Sequence, residues 1–257
     1  MLLTFDIGNT NIVIGFFDQQ RLTHKWRMIS DTKKSADDYA VDLIELFLTD
    51  KVDCLKVTGS IIASVVPALT NKIHEALKKF TNAEILVLGE KGVKLDIDIQ
   101  VQNKNEVGDD RLVNSIAGKE KFGNSLIIID FGTATTFDIV GDKGEYLGGV
   151  IAPGINLSLK ALHDMTAKLP KITVRAQKNV IGKNTITAMN SGVYFGYISL
   201  IEGLVEKIEK ELGYKTTRII TGGLAETFKD ALKNLVEHHE PDLTLEGLRI
   251  VYEKNRK

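Results

Sequence analysis

The chain contains an internal repeat whose two copies lie about half of its length apart. In the first copy the apolar residues 2–5 lead into Asp6-Ile7-Gly8-Asn9-Thr10, and in the second the apolar residues 126–129 lead into Asp130-Phe131-Gly132-Thr133. The aspartates Asp6 and Asp130 are 124 residues apart in a chain of 257 residues. Self-similarity at this spacing predicts two related domains in tandem, which we place at residues 1–115 and 116–257.

Strand and helix patterns alternate in both halves of the chain. Each copy of the repeat predicts a strand, a tight turn and a second strand, because an apolar run stops at small and polar residues and then resumes. Ser35 and Asp38 form a capping-box pattern before one helix, and a long helical pattern covers residues 185–212. This alternation predicts an α/β fold.

The composition argues against several classes of function. The 33 basic and 34 acidic residues give a net charge of -1, so no overall field favours nucleic acid or an anionic membrane. The single cysteine, Cys54, excludes an internal disulfide and a cysteine-rich zinc site. There is no run of 18 apolar residues and no signal-peptide pattern, so we expect a cytoplasmic protein that binds neither nucleic acid nor membrane.

The two aspartate-glycine turns have the parts of a phosphate-binding site. Backbone N–H groups can converge on a phosphate only where side-chain bulk is absent, which a glycine followed by Asn or Thr allows. An aspartate at the end of the preceding strand can hold a cation, or its water shell, against the phosphates. One such turn alone is better explained by an ordinary hairpin, but its duplication favours phosphate binding.

Two further glycine-rich segments precede predicted helices. Thr221-Gly222-Gly223 follows a short strand pattern, and Gly148-Gly149 with Pro153-Gly154 is interpreted as a turn before a helix from Ile155. Helix N-termini favour anions, although both segments also fit ordinary turns. The dinucleotide pattern G-x-G-x-x-G and the pattern G-x-x-x-x-G-K-[ST] are absent from the sequence, so a bound nucleotide would need a different cradle.

A cluster of charged residues, Gly108-Asp109-Asp110-Arg111, precedes another helical pattern. One aspartate could accept a proton from a substrate hydroxyl, and the arginine could pair with a carboxylate or a phosphate. Neighbouring residues on a helix diverge by about 100°, so Asp109 and Asp110 are expected to have different roles. A solvated helix cap is the alternative interpretation.

Taken together, these motifs resemble those of the type III pantothenate kinases. That family belongs to the acetate and sugar kinase, Hsp70 and actin superfamily, whose two ribonuclease H-like domains hold ATP between them. The resemblance therefore implies two tandem domains of that fold, in agreement with the repeat. It is carried by Asp6-x-Gly8-Asn9-Thr10, Gly108-x-Asp110-Arg111, the segment from Asp130 to Asp138, Gly148-Gly149 with Pro153-Gly154, Thr185, and Thr221-Gly222-Gly223.

The resemblance implies ATP-dependent phosphorylation of pantothenate to 4′-phosphopantothenate, the first step towards coenzyme A. It implies a homodimer, magnesium placed by Asp6, and potassium or ammonium bound at Asp130. Asp110 would be the catalytic proton acceptor. The implied ATP contacts are Asp6, Ile7, Gly8, Asn9, Thr10, Asn11, Ile12, Val13, Thr133, Gly222 and Gly223, and the implied pantothenate contacts are Gly108, Asp109, Asp110, Arg111 and Thr185.

The sequence departs from the family pattern at two places. Asp109 stands where the family commonly has alanine, and Asn103-Lys104-Asn105 occupies a segment that usually carries a proline. The first departure adds a carboxylate near an anionic substrate, and the second puts contacts from that loop in doubt. Two alternatives remain: a kinase for another small hydroxylated acid or sugar, and a non-enzymatic transcriptional accessory factor of the same family.

Overall fold

A computed structural model describes residues 1–256. The strands are β1 (Leu2–Ile7), β2 (Asn11–Asp18), β3 (Arg21–Ile29), β4 (Gly59–Ser64), β5 (Glu84–Val87), β6 (Leu126–Phe131), β7 (Ala134–Val140), β8 (Tyr146–Pro153), β9 (Thr217–Thr221) and β10 (His238–His239). The helices are α1 (Ala36–Thr49), α2 (Pro67–Lys78), α3 (Asp109–Phe122), α4 (Ile155–Asp164), α5 (Thr185–Leu212), α6 (Ala225–Leu232) and α7 (Leu243–Asn255), with single 3-10 turns at Cys54–Lys56 and Lys104–Glu106.

The chain divides into two compact units. The first contains residues 1–97, residues 103–117 and the chain from Leu243 onward, and the second contains residues 98–102 and 118–242. This division places the boundary in α3 at 117/118 instead of the predicted 115/116, and it assigns two further segments differently. The short segment 98–102 joins the second unit because Tyr146 pairs with it, donating its N–H to the Asp98 carbonyl and accepting from the Gln100 N–H. The terminal helix α7 joins the first unit because it packs on β1, β2 and β4.

The first unit is a five-stranded mixed sheet of order β3-β2-β1-β4-β5. Strands β1, β2 and β3 are antiparallel, whereas β4 and β5 run parallel to β1. One face buries Leu3, Phe5 and Ile7 with apolar residues of α1 and α2. On the other face the Tyr252 ring lies directly against β4. It is so close to Gly59 that a Cβ at this position would overlap the ring. The sheet is thus covered by helices on both faces.

The second unit repeats this topology. Its sheet has the order β10-β9-β6-β7-β8, with β6, β7 and β8 antiparallel and with β9 and β10 parallel to β6. Strands β6 to β10 therefore correspond in order to β1 to β5. Ile127, Ile129 and Phe137 are buried with apolar residues of α4, α5 and α6. The repeat predicted from Asp6 and Asp130 is confirmed as a duplicated α/β fold.

Local signals predicted several elements well. Helix α1 begins with the expected capping box, in which Asp38 N–H donates to Ser35 Oγ and Ser35 N–H donates to the Asp38 carboxylate. Helix α5 has the predicted bounds, with Asn184 as its N-cap and Gly213, at φ 79°, as its left-handed C-cap.

The interpretation of Gly148-Gly149 as a turn is wrong. Both glycines lie inside β8, where Gly149 pairs with Asp138 and Gly148 pairs with Ile139. The register then shifts, because Val140 pairs with Tyr146 and leaves Leu147 as an extra residue. Gly148 adopts φ 119°, so the glycine permits a bulge within the strand.

Candidate active site

The first aspartate-glycine turn connects β1 to β2. Gly8 N–H donates to the Asn11 carbonyl at 3.0 Å, and the tip residues Asn9 and Thr10 are exposed. The side chains of Ile7 and Ile12 are buried beneath the turn. Asp6, two residues before Gly8, is partly buried and pairs with Val13 and with Ala63 of β4. The turn is therefore an exposed loop on a rigid apolar base.

The second turn is one residue shorter. Gly8 to Asn11 separate the paired residues Ile7 and Ile12, whereas Gly132 to Ala134 separate Phe131 and Thr135. The two turns are thus related in position but differ in backbone path, which the aligned sequence motifs did not predict.

The Gly108–Arg111 motif opens α3 in the first unit. Asp110 Oδ1 accepts a hydrogen bond from Arg111 N–H at 2.9 Å. A Cβ on Gly108 would come 2.5 Å from Asp110 Oδ1 and 3.7 Å from Val65 Cγ1. Glycine at 108 therefore makes room for the Asp110 carboxylate next to the end of β4.

Both aspartates of the motif have perturbed pKa values. Burial raises the pKa of Asp110, while hydrogen bonding from Arg111 N–H and the nearby Arg111 charge oppose the increase. Burial also raises the pKa of Asp109, opposed by a hydrogen bond from the Ser64 backbone and reinforced by the Asp110 charge. The two carboxylates thus have separate partners, as their divergence on the helix predicted.

The first turn and the start of α3 meet at the same edge of the first sheet. Ile7 and Ser64 end the neighbouring parallel strands β1 and β4, and Val65 N–H donates to the Ile7 carbonyl at 3.0 Å. The Asp109 carboxylate accepts a hydrogen bond from the Ser64 backbone, and Gly108 lies near the Val65 side chain. Ligand sites in α/β proteins lie at the carboxyl edge of parallel strands, so this edge is the candidate site.

Residues of α7 that the sequence analysis missed support α3. Thr244 Oγ1 donates to Asn114 Oδ1 at 2.8 Å, and a Cβ on Gly247 would overlap the Val113 carbonyl. The two helices therefore cross in direct backbone contact. Only the fold reveals this support, because more than 120 residues separate the partners in the sequence.

In the second unit, Asp130 is the penultimate residue of β6. It pairs with Thr136 of β7 and Thr221 of β9, so the three side chains share one face of the sheet. Gly222 has φ 92°, and a Cβ there would overlap Asp130 Oδ1. The predicted residues Asp130 and Gly222 are thus in contact, while Gly223 is exposed beside them.

The other predicted residues of the second unit lie at helix starts and turn tips. Thr133 is exposed on the second turn, and its carbonyl oxygen lies against Gly154, the N-cap of α4. Thr185 is the exposed first residue of α5. Of the predicted pantothenate contacts, Gly108 to Arg111 belong to the first unit and Thr185 belongs to the second.

The duplicated sheets, each with an aspartate one residue before the end of its central strand and an exposed glycine turn after it, define a protein with two α/β units of the same strand order. The fold is similar to that of an activator of the 2-hydroxyisocaproyl-CoA dehydratase from Clostridium difficile with bound ADPNP, at a TM-score of 0.53 and 11% identity over 99% of this chain and 95% of that one. It is also similar to a conserved protein assigned to the Baf family of transcriptional activators from Campylobacter jejuni, at a TM-score of 0.62 and 19% identity over 98% of both chains.

The particular family follows from the sequence. A family model described as type III pantothenate kinase matches residues 2–207. A type III pantothenate kinase from Exiguobacterium sp. is 44% identical over 257 residues, which cover the whole of both chains. The chain belongs to the type III pantothenate kinase family and is a kinase of coenzyme A biosynthesis.

Proposed function

We propose that the chain transfers the γ-phosphoryl group of ATP to the terminal hydroxyl of pantothenate, giving 4′-phosphopantothenate. The observation that carries this proposal is the family match, with 44% identity to a type III pantothenate kinase over the whole chain. The likeness to the Baf protein, at 19% identity, supports a shared fold and does not favour a regulatory role.

The first turn is the proposed ATP phosphate site. Its exposed tip and its glycine allow backbone N–H groups to approach phosphate oxygens without side-chain interference. The contacts come from residues 6–13, with Ile7, Ile12 and Val13 supplying the base of the turn. This use of backbone donors suits phosphoryl transfer, in which positioning and charge neutralisation provide most of the catalysis.

Asp6 is the proposed magnesium-placing residue. Among residues 1–256, no group of three or more His, Cys, Asp or Glu side chains is arranged to hold a metal ion. Magnesium at phosphoryl-transfer sites commonly uses one or two carboxylates together with water and substrate phosphates, so the single carboxylate of Asp6 fits it. When bound, the ion neutralises charge on the phosphates.

Asp110 is the proposed proton acceptor. Its carboxylate accepts a hydrogen bond from Arg111 N–H and occupies room that a side chain at Gly108 would fill. Burial raises the pKa of Asp110 towards the range in which a carboxylate is a useful base. As the pantothenate oxygen forms its bond to the γ-phosphorus, its hydroxyl proton passes to Asp110 and ADP leaves. Arg111 and Thr185 are proposed to bind pantothenate, with the guanidinium suited to its carboxylate.

Thr133, Gly222 and Gly223 are the proposed ATP contacts of the second unit, and Asp130 is the proposed site of potassium or ammonium. Asp130 fits a monovalent cation because its carboxylate shares a sheet face with the hydroxyls of Thr136 and Thr221, which supply oxygen ligands. Hard cations prefer such ligands. When bound, a monovalent cation adds positive charge close to the second turn.

We also propose that the chain acts as a cytoplasmic homodimer through an apolar face of the second unit. A groove of about 590 Å³ lies between α4 and α5, lined by residues that include Leu162, Val193 and Tyr197. Leu157, Met165 and Ile186 are 50%, 84% and 53% exposed. Exposed apolar patches commonly mark association sites.

None of the helices among residues 1–256 is long and apolar enough to cross a bilayer.

The test is to incubate the purified chain with ATP, magnesium, potassium and pantothenate and to identify the product by mass spectrometry. We expect 4′-phosphopantothenate and ADP in equal amounts, with no product from the Asp110→Asn variant. Turnover with a sugar or another hydroxy acid, but none with pantothenate, would replace the substrate assignment. Salt-sensitive retention of a DNA duplex by a folded, inactive chain would revive the regulatory alternative.

A further inference from the structure

Ser30, the residue that follows β3, donates two hydrogen bonds to the first turn. Its Oγ donates to the Gly8 carbonyl at 2.6 Å, and its N–H donates to the Thr10 carbonyl at 3.1 Å. Ser30 is 20 residues or more from both partners in the sequence. The sequence pattern around it, Ser30-Asp31-Thr32-Lys33, gave no sign of this role.

These two bonds set the direction of two peptide units. In a trans peptide the C=O and the following N–H point in opposite directions. Because the Gly8 and Thr10 carbonyls face Ser30, the N–H groups of Asn9 and Asn11 are directed away from it. The Gly8 N–H, in contrast, is used within the turn, where it donates to the Asn11 carbonyl.

The loop that carries Ser30 is itself firmly anchored. Lys72 Nζ of α2 donates to the carbonyls of Thr32 and Lys34, both at 2.8 Å. Tyr39 Oη of α1 donates to the Asp31 carbonyl at 2.9 Å and accepts from the Asp31 N–H at 3.0 Å. Ser30 therefore links the turn to a segment fixed by both helices of this face.

The second unit has an equivalent contact made in a different way. Gly154 follows β8, as Ser30 follows β3, and a Cβ on Gly154 would overlap the Thr133 carbonyl and lie 3.0 Å from the Gly132 carbonyl. In both units the residue after the third strand thus faces the carbonyl side of the turn. The recurrence indicates that this position orients the turn.

We propose that Ser30 is a positioning residue for ATP, which orients the Asn9 and Asn11 N–H groups as donors to the phosphate oxygens. The inference rests on the proposed function of the first turn and adds the residue that sets its donor geometry. Without the Ser30 hydroxyl, the Gly8 peptide unit is free to rotate and the Asn9 donor is lost part of the time.

The test compares Ser30→Ala and Ser30→Thr with a matched control, Thr23→Ala. Thr23 is a residue of β3, and its hydroxyl donates to the Phe16 carbonyl of β2 at 3.0 Å, away from the first turn. Removing one such hydrogen bond to a ligand-orienting group is expected to weaken binding about tenfold. We expect Ser30→Ala to raise KM for ATP and the Kd for ADP by about that factor, and to leave KM for pantothenate within about twofold.

Ser30→Thr should restore ADP binding, because threonine keeps the hydroxyl. Equal losses in Ser30→Ala and Thr23→Ala, or unchanged ADP affinity in Ser30→Ala, would overturn the positioning role. Calorimetry of the parent chain separates this failure from failure of the proposed function, which would show as no ADP binding by the parent itself.

A second measurement needs no variant. Hydrogen exchange followed by NMR should show that ADP slows exchange of the Asn9 and Asn11 amides, with little change at the Gly8 amide that is already bonded in the turn. Saturation with ADP that leaves both amides exchanging at the unliganded rate would contradict the assigned donors.

Discussion

The carboxylate of Asp109 accepts a hydrogen bond from the backbone of Ser64, at the end of the strand beside the candidate phosphate turn. This interaction connects the start of α3 with the end of β4. The adjacent Asp110 carboxylate instead accepts a hydrogen bond from Arg111 N–H and lies close to Gly108.

Asp109→Asn should therefore keep kcat within about threefold of the parent, because the amide oxygen still accepts from Ser64. Removal of a negative charge near an anionic substrate should leave KM for pantothenate unchanged or lower. Steady-state kinetics with varied pantothenate measure both quantities. A loss of kcat as large as that of Asp110→Asn would identify Asp109, instead of Asp110, as the proton acceptor.

Asp110→Asn should lower kcat by about a hundredfold or more, the usual scale for a positioned base, while ADP still binds. It should also stabilise the fold near neutral pH. Burial raises the pKa of Asp110 in the folded chain, so its charged form destabilises the fold above that raised pKa.

The stabilising effect of Asp110→Asn should shrink as the pH falls through the raised pKa and vanish below about 4, the ordinary pKa of an unfolded aspartate, because Asp110 is then protonated in both states. Thermal unfolding of parent and variant across this pH range measures the effect. A variant that is less stable than the parent at neutral pH would show that the charged carboxylate contributes favourably to folding.

Asp130→Ala should abolish activation by potassium, because it removes the carboxylate that pairs with both Thr136 and Thr221. Gly222→Ala should have a similar effect, since its methyl group would overlap Asp130 Oδ1 and its φ of 92° disfavours alanine. Rates are compared in potassium and in choline salts. Asp164→Ala, at an exposed position on α4, is the control, and normal activation of Asp130→Ala would place the cation elsewhere.

Leu157→Glu should convert the proposed homodimer to a monomer, because it places a charge on the exposed apolar face of α4. Light scattering after size exclusion measures the mass. Leu55→Glu is the matched control, since Leu55 is also exposed, at 84%, but lies in the first unit. A parent chain that is monomeric at assay concentration, or a dimer that survives Leu157→Glu, would contradict the proposed interface.

The elements that sequence predicted best are those whose signals are local. The Ser35 and Asp38 capping box lies at the start of α1, and the helical pattern over residues 185–212 coincides with α5. The β3 strand was missed, although Leu22, Trp26 and Met28 alternate with polar residues along it and could have revealed it.

The features that sequence could not provide depend on contacts between distant segments. The bonds from Ser30 to Gly8 and Thr10 join the end of the third strand to the first turn. The support of Asn114 by Thr244 spans half of the chain. The motif around Asp110 was visible in the sequence, but the Ser64 bond that distinguishes Asp109 from Asp110 required the fold.

The return of α7 to the first sheet has a consequence for biosynthesis. Residues 118–242 are continuous, so the second unit can complete its core while the nascent chain is still being translated. The earlier half must wait for the last helix, which contributes the Tyr252 ring that covers Gly59. A chain that terminates before Leu243 therefore leaves this face of the first sheet without the helix that packs on β1, β2 and β4.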